Sequence, residues 1–304
     1  MGKVLRDVCR FVAFEALYTE GSAVQAAFLA FVRGAVRGLS PVPGIVAWEL
    51  INEPWAGDVF AAPWLLLPGV ADRARLALFY RLVSAAVRGV ESSTHLVLYA
   101  PVTWDDVTIG FRIDPTIGPP GTSALAVHYY SPPALPVPAT QFAYYGKAAL
   151  SLATGLLLTE FEMGRGGTAP SGRWSPRGVP AVNRSDVVSV ANQGGVSWMG
   201  WDALNATGHL WPDLRGLMGS VHAVAVGGWR LAEGIVYGGN YTLTYAPSER
   251  SGPTILYVGA RPLEKIYEEP PFCGIRVVRA GPHHAALHLG RGSPCGEVSV
   301  TMAH

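Results

Sequence analysis

Lysine is almost missing from this chain of 304 residues: Lys3, Lys147 and Lys265 stand against twenty arginines. Charge of either sign is sparse, at 15% of residues, and it balances to a net +1. No run of like charge occurs, so nothing predicts a nucleic-acid partner held by counterion release. Internal repeats and a glycine-rich phosphate loop are also lacking. Mean hydropathy is high at +0.25, yet no segment reaches the roughly 18 uninterrupted apolar residues of a membrane helix. Residues 11–36 come nearest, but Glu15, Glu20, Gly21 and Arg33 break them into helices on either side of a turn. Met1–Leu17 does not read as a signal peptide, because Arg10 and Glu15 cut its apolar run short. There are three cysteines. Cys273 and Cys295 could pair in an oxidising compartment while Cys9 has no evident partner, and three free thiols fit the sequence equally well. Of only five asparagines, three begin sequons: Asn183-Arg-Ser, Asn205-Ala-Thr and Asn240-Tyr-Thr. That excess predicts a secretory or lysosome- and vacuole-like route.

What the chain does have is a pair of strands that end in glutamate. Gly44–Asp58 reads GIVAWELINEPWAGD, a run of small, β-branched and aromatic residues interrupted only by Glu49. Such a run is expected for an inner strand of a parallel sheet. Pro54 cannot donate to a ladder, so the strand stops there with Asn52 and Glu53 at its tip. An ordinary solvated strand-end carboxylate would look the same. Thr154–Gly164, TGLLLTEFEMG, repeats the design with Glu160 at its tip. Two further candidate strands, His95–Val102 and Ala124–Tyr130, lie between. Glutamates three strands apart on one barrel rim would face each other across its mouth, where (β/α) barrels place their chemistry. Retaining glycosidases need two carboxyl groups about 5–5.5 Å apart, one protonating the leaving oxygen and one attacking the anomeric carbon. Their pKa values must differ, and repulsion and burial are expected to raise one while hydrogen bonds hold the other ionised.

Asn52-Glu53-Pro54, His128-x-Tyr130, Thr159-Glu160-Phe161 and the late Trp201 occur in the order seen in glycoside hydrolase family 5, which this chain resembles. The longer Trp48–Asp58 block, Leu67–Arg73 and Pro101-Val102-Thr103-Trp104 are similar to the endoglycoceramidases within it. The resemblance covers Gly34 to Gly219 well and the remainder loosely. It implies a retaining glycosidase that cuts glycosphingolipids between oligosaccharide and ceramide, with no cofactor, no metal and no protein partner. Other family 5 activities, such as a β-glucanase or a steryl-β-glucosidase, and a non-catalytic glycan-binding homologue stay open. Carried over residue by residue, Glu53 is the acid/base, Glu160 the nucleophile and Asn52 the contact to the sugar 2-hydroxyl. Tyr130 would donate to Glu160, His128 would line the same rim, and Trp201 would be the sugar platform. Residues two apart on a strand face one way, which fits His128 with Tyr130; a satisfied barrel histidine is the competing reading. Trp198 is expected in the core. Apolar Val59–Val70 suits either a lip in peripheral contact with lipid or packing against the next helix.

The alternation predicts helices at Ser22–Arg37, Val70–Gly89, Gln141–Leu152 and Ala181–Gln193, with strands Gly44–Ile51, His95–Val102, Ala124–Tyr130, Gly155–Phe161 and Val196–Trp201. It ends near Gly219. Beyond it come short β-branched segments at Tyr241–Tyr245, Thr254–Tyr257, Gly274–Val278, Ala285–Leu289 and Glu297–Met302, the pattern of a small antiparallel sandwich. The expected fold is therefore α/β, a (β/α)8 TIM-barrel glycosidase domain over residues 1–220 followed by a β-sandwich over residues 221–304. In family 5 the acid/base ends the fourth strand, so the five strands correspond to strands 4–8. Only 43 residues precede Gly44, and the barrel is expected to be incomplete. A half-barrel would leave unpaired parallel edges, from which aggregation or missing activity is expected.

Overall fold

The apolar runs come together as one parallel sheet. A computed structural model describes residues 11–91, 95–103, 108–130, 134–135, 137–161, 184–201, 207, 209, 221–226, 228–235, 240–248, 252–259, 266–271, 273–290 and 295–302. Strands β1 (Ala47–Glu49), β2 (Leu96–Tyr99), β3 (Ser123–Tyr129), β4 (Gly155–Phe161) and β5 (Ser197–Trp198) lie side by side in that order. Each pairs in parallel with the next. Period-two alternation sorts their side chains. Leu98 and Ala100 cluster with Ala124 and Ala126 on one face, with Ala47, Leu96 and Leu157 packed against them. Val97, Tyr99, Leu125, Val127 and Tyr129, which alternate with them, are also buried.

The helices follow the sequence closely. Residues 11–18 form α1, and α2 (Ala23–Leu39) starts where the Ser22 hydroxyl accepts from the Gln25 amide. A π-helical turn, Asp72–Leu76, leads into α3 (Ala77–Arg88). There Phe79, Tyr80, Val83 and Val87 are fully buried, and the Tyr80 hydroxyl donates to the Ala100 carbonyl at 2.7 Å. Helix α4 (Pro138–Ser151) precedes β4. Strand β1 is shorter than the Gly44–Ile51 expected. Its ladder ends with the Leu50 amide on the Leu98 carbonyl at 3.1 Å, because the chain then turns through Glu53 at φ +43°.

The sheet curves. In a flat sheet β1 and β4 would lie three spacings of about 4.8 Å apart, too far for a glutamate and a threonine to touch. Yet Thr159 on β4 donates its hydroxyl to Glu49 Oε1 on β1 at 3.1 Å. The five strands therefore form part of a barrel wall, with these side chains on its concave face.

The chain divides into two compact units. Among the described residues, the first runs to Phe161 and takes in β5 with Met199, while the second holds residues 184–196 and those from 200 on. Helix α5 (Arg184–Gly194), although the helix–strand alternation runs on to Gly219, groups with the second unit: Arg230 donates to the Asn192 carbonyl at 3.1 Å. Eight further strands follow: β6 (His222–Ala225), β7 (Gly228–Ile235), β8 (Tyr241–Pro247), β9 (Thr254–Tyr257), β10 (Ile266–Glu269), β11 (Ile275–Gly281), β12 (His284–Leu289) and β13 (Val298–Met302). They make two antiparallel sheets, ordered β10-β13-β8-β7 and β11-β12-β9-β6. Leu243, Tyr245, Val298 and Val300 of one sheet share a core with Leu256, Ala285 and Leu287 of the other. Cys273 and Cys295 are joined in a disulfide, Cα atoms 5.6 Å apart. The sequence does not announce β6, β7 or β10. In β7 the buried Glu233 breaks the apolar pattern, its carboxylate satisfied by Arg230, the Tyr241 hydroxyl and the Ala223 amide.

Candidate active site

Glu53 sits in the turn after β1, in the left-handed region at φ +43°. A residue with a Cβ pays about 1–3 kcal/mol to be held there, and such strain gathers at functional sites. Asn52 beside it is exposed, and the turn is held by the Thr103 amide on the Pro54 carbonyl at 3.0 Å. Trp104 and the loop after Phe161 lie outside the described residues.

Glu160 reaches the same place through an irregularity in β4. Val127 pairs with Leu158, but His128 pairs with Glu160, so Thr159 is the extra residue of a β-bulge. Strict alternation would send Thr159 and Glu160 to opposite faces. The bulge lets both act on the concave side: Thr159 on Glu49, and Glu160 beside His128.

His128 is the hub. Its side chain is 12% exposed; Nδ1 lies 3.2 Å from Glu53 Oε1 and 3.9 Å from Glu160 Oε2. Nε2 lies 3.9 Å from Glu49 Oε1, an ion-pair distance rather than a hydrogen bond. Burial works against its charge, but the carboxylates of Glu49, Glu53 and Glu160 outweigh it and raise the imidazole pKa to about 9. The hydrogen bond from His128 in turn pulls the Glu53 pKa down against the effect of burial. This corrects the expectation that repulsion and burial raise one of the glutamate pair: the imidazolium between them reverses the sign for Glu53. Tyr130 donates its phenol to Glu160 Oε1 at 2.7 Å.

One oxygen of Glu53, one of Glu160 and one imidazole nitrogen all lie within 4.8 Å of each other. Such a trio could reach a divalent cation, but an ion would have to displace the proton of His128. The cluster reads as an acid–base set. Sequence reasoning passed over Glu49 and Thr159. The signal for Glu49 was present, as the one charge inside an apolar strand; the bulge that turns Thr159 inward has none.

Trp198 packs edge-on against Phe161 at 5.8 Å. Trp201 is 61% exposed and belongs to the second unit. In the Val59–Val70 segment Val59 and Leu65 are buried, while Phe60, Trp64, Leu66 and Leu67 are exposed. Phe60 meets Phe11, which meets Trp55 two residues past Glu53.

No family model matches the chain. It is 34% identical over 122 residues to an endoglycoceramidase of Cyanea nozakii, a stretch of 40% of this chain and 24% of that one. With an endoglycoceramidase of Hydra vulgaris it shares 36% over 126 residues, 40% of this chain and 23% of that one. The matched stretch is thus about a quarter of the length of these curated relatives. Among solved structures, endo-glycoceramidase II from Rhodococcus sp. superposes with a TM-score of 0.71 at 20% identity, covering 96% of this chain and 67% of that one. A structure of the same enzyme as a ganglioside GM3 complex gives 0.71 at 18% identity. These structural likenesses speak for the fold, and the sequence relatives carry the endoglycoceramidase resemblance read from the motifs.

Proposed function

We propose that the cluster around His128 is the centre of a retaining β-glycoside hydrolase of endoglycoceramidase type. The observation that carries this is the approach of the Glu53 and Glu160 oxygens to within 4.8 Å, near the separation of about 5–5.5 Å that retention uses. Glu160, aimed by the Tyr130 phenol, attacks the anomeric carbon. Glu53 delivers a proton to the leaving oxygen as that bond breaks. In the second half Glu53 takes a proton from water, whose oxygen displaces Glu160 from the sugar. Asn52 would contact the 2-hydroxyl.

The substrate class is a glycosphingolipid, cut between oligosaccharide and ceramide. Support comes from the endoglycoceramidase relatives and from exposed Phe60, Trp64, Leu66 and Leu67, which would meet lipid close in sequence to the acid/base. A secreted or lysosome-like setting fits the Cys273–Cys295 disulfide and the sequon at Asn240, which is exposed; Asn183 and Asn205 lie outside the described residues.

The test is hydrolysis of a GM3-type glycolipid, a soluble β-glucan and an activated aryl glycoside. Glu160→Ala is expected to abolish turnover of all substrates, with azide restoring an inverted product. Glu53→Ala is expected to cost far more on the glycolipid than on the aryl glycoside, whose leaving group needs little protonation. Equal losses would remove the acid assignment, and cleavage of the glucan alone would remove the glycolipid.

A further inference from the structure

Glu49 has no part in the two-carboxylate mechanism, yet it is built into the site from two sides. Its Oε1 accepts the Thr159 hydroxyl at 3.1 Å and faces His128 Nε2 at 3.9 Å. His128 Nδ1 is meanwhile turned to Glu53 at 3.2 Å. The imidazole thus stands between two carboxylates, one at each nitrogen. Glu49 comes from β1, His128 from β3 and Thr159 from β4, and each strand makes a separate sacrifice for the arrangement. Strand β1 carries a charge among apolar residues, β4 inserts a bulge so that Thr159 turns inward, and His128 interrupts the alanine row of β3.

From this placement we propose that Glu49 is a positioning residue: aimed by Thr159, it holds His128 against Glu53 and keeps a proton stored beside the acid/base. Each turnover sends one proton through Glu53 to the leaving oxygen and brings one back from water, so a charged imidazole held against Glu53 can replace the first and, once neutral, accept the second. Among the described residues, the charged and titratable groups facing the imidazole are Glu49 from β1, Glu53 from the turn after it and Glu160 from β4, with Tyr130 bound to Glu160. Three anions around one cation explain why the imidazole titrates near 9. Removing Glu49 takes away the anion at Nε2 while leaving both proposed catalytic carboxylates in place.

The use of the stored proton by Glu53 rests on the glycosidase reading above; the hold on His128 does not. The experiment is therefore a titration of the His128 ring by NMR in the whole chain, its signal identified by its loss in His128→Gln. Glu49→Gln is expected to lower the His128 midpoint by about one pH unit or more, the usual effect of an opposite charge at this range. Glu49→Asp should give a smaller drop. Thr159→Val, which keeps Glu49 but not its aim, should also lower the midpoint. Any variant that loses cooperative unfolding is set aside in favour of the others. On an aryl glycoside, Glu49→Gln should move the alkaline limb of kcat/KM to lower pH with KM little altered. An unchanged His128 midpoint in both Glu49→Gln and Thr159→Val overturns the proposal. A shifted midpoint with no hydrolysis of any glycoside by the unaltered protein would leave the positioning role standing and reject the glycosidase.

Discussion

A single imidazole governs the charge state of this site, and its consequences run in both pH directions. The His128 pKa is raised from 6.5 to about 9, so its ion pairs add stability fully below pH 6.5 and lose it as pH rises through about 9. The Glu53 pKa is lowered from 4.5, so its share is present above pH 4.5 and vanishes as pH falls through the lowered value. Both contributions coexist between pH 4.5 and 6.5. Stability of the unaltered chain should exceed that of His128→Gln most within this window. The gap should narrow by about 3 kcal/mol towards pH 10, at 1.36 kcal/mol per pKa unit. A gap that does not vary with pH would mean that His128 carries no charge in the fold. At this scale much was legible. Two glutamates at the ends of apolar runs, and His128 two residues before Tyr130, are enough to name the groups that meet. Their charges were not legible, because the sign of the Glu53 shift depends on a partner 75 residues away.

Elements were legible wherever burial dictates the pattern and illegible wherever geometry departs from it. Strand β4 was read at its full length because Gly155–Phe161 is continuous and mostly apolar; β1 was overestimated at both ends, between the turns at Gly44 (φ +93°) and Glu53 (φ +43°), which the apolar run does not mark. The segment from Leu67 to Phe111 shows how such geometry is held. The buried Asp72 accepts the Val102 amide at 2.9 Å and the Gly110 amide at 2.7 Å. This ties the π-helical start of α3 to the chain leaving β2, and it brings two backbones together at glycines. A Cβ on Gly110 would lie 2.1 Å from the Gly69 carbonyl oxygen and 2.4 Å from its Cα. Backbone cannot swing aside as a side-chain tip can. Gly110→Ala is accordingly expected to destabilise the first unit by about 2 kcal/mol or more, in the range of strained or overpacked sites. Chemical denaturation measures this, and a loss under about 0.5 kcal/mol would show that the two segments separate freely.

At the scale of the whole chain, two units with different means of support share one polypeptide. The first buries its helices on a parallel sheet and holds the cluster around His128. The second is a pair of four-stranded sheets around one core. Its class was legible from β-branched segments at short intervals, but α5 reads as one more barrel helix and instead groups with this unit. The reason is Arg230, whose guanidinium occupies the space beside Gly195 and donates to Asn192. No local pattern in residues 184–194 encodes a partner so far along the chain. The second unit also carries a covalent link, Cys273–Cys295, across a sequence separation of 22. Closing a loop of that size restricts the unfolded chain by about 3 kcal/mol, and the link ties the start of β11 to the approach to β13. Reduction should therefore act unevenly. Hydrogen exchange in a mild reductant is expected to lose protection in β11, β12 and β13 while β2, β3 and β4 keep theirs, and Cys273→Ser should reproduce the pattern without reductant. Equal loss of protection in both units would mean that they unfold as a single cooperative body, so that the bond stabilises the parallel sheet as much as the sandwich that contains it.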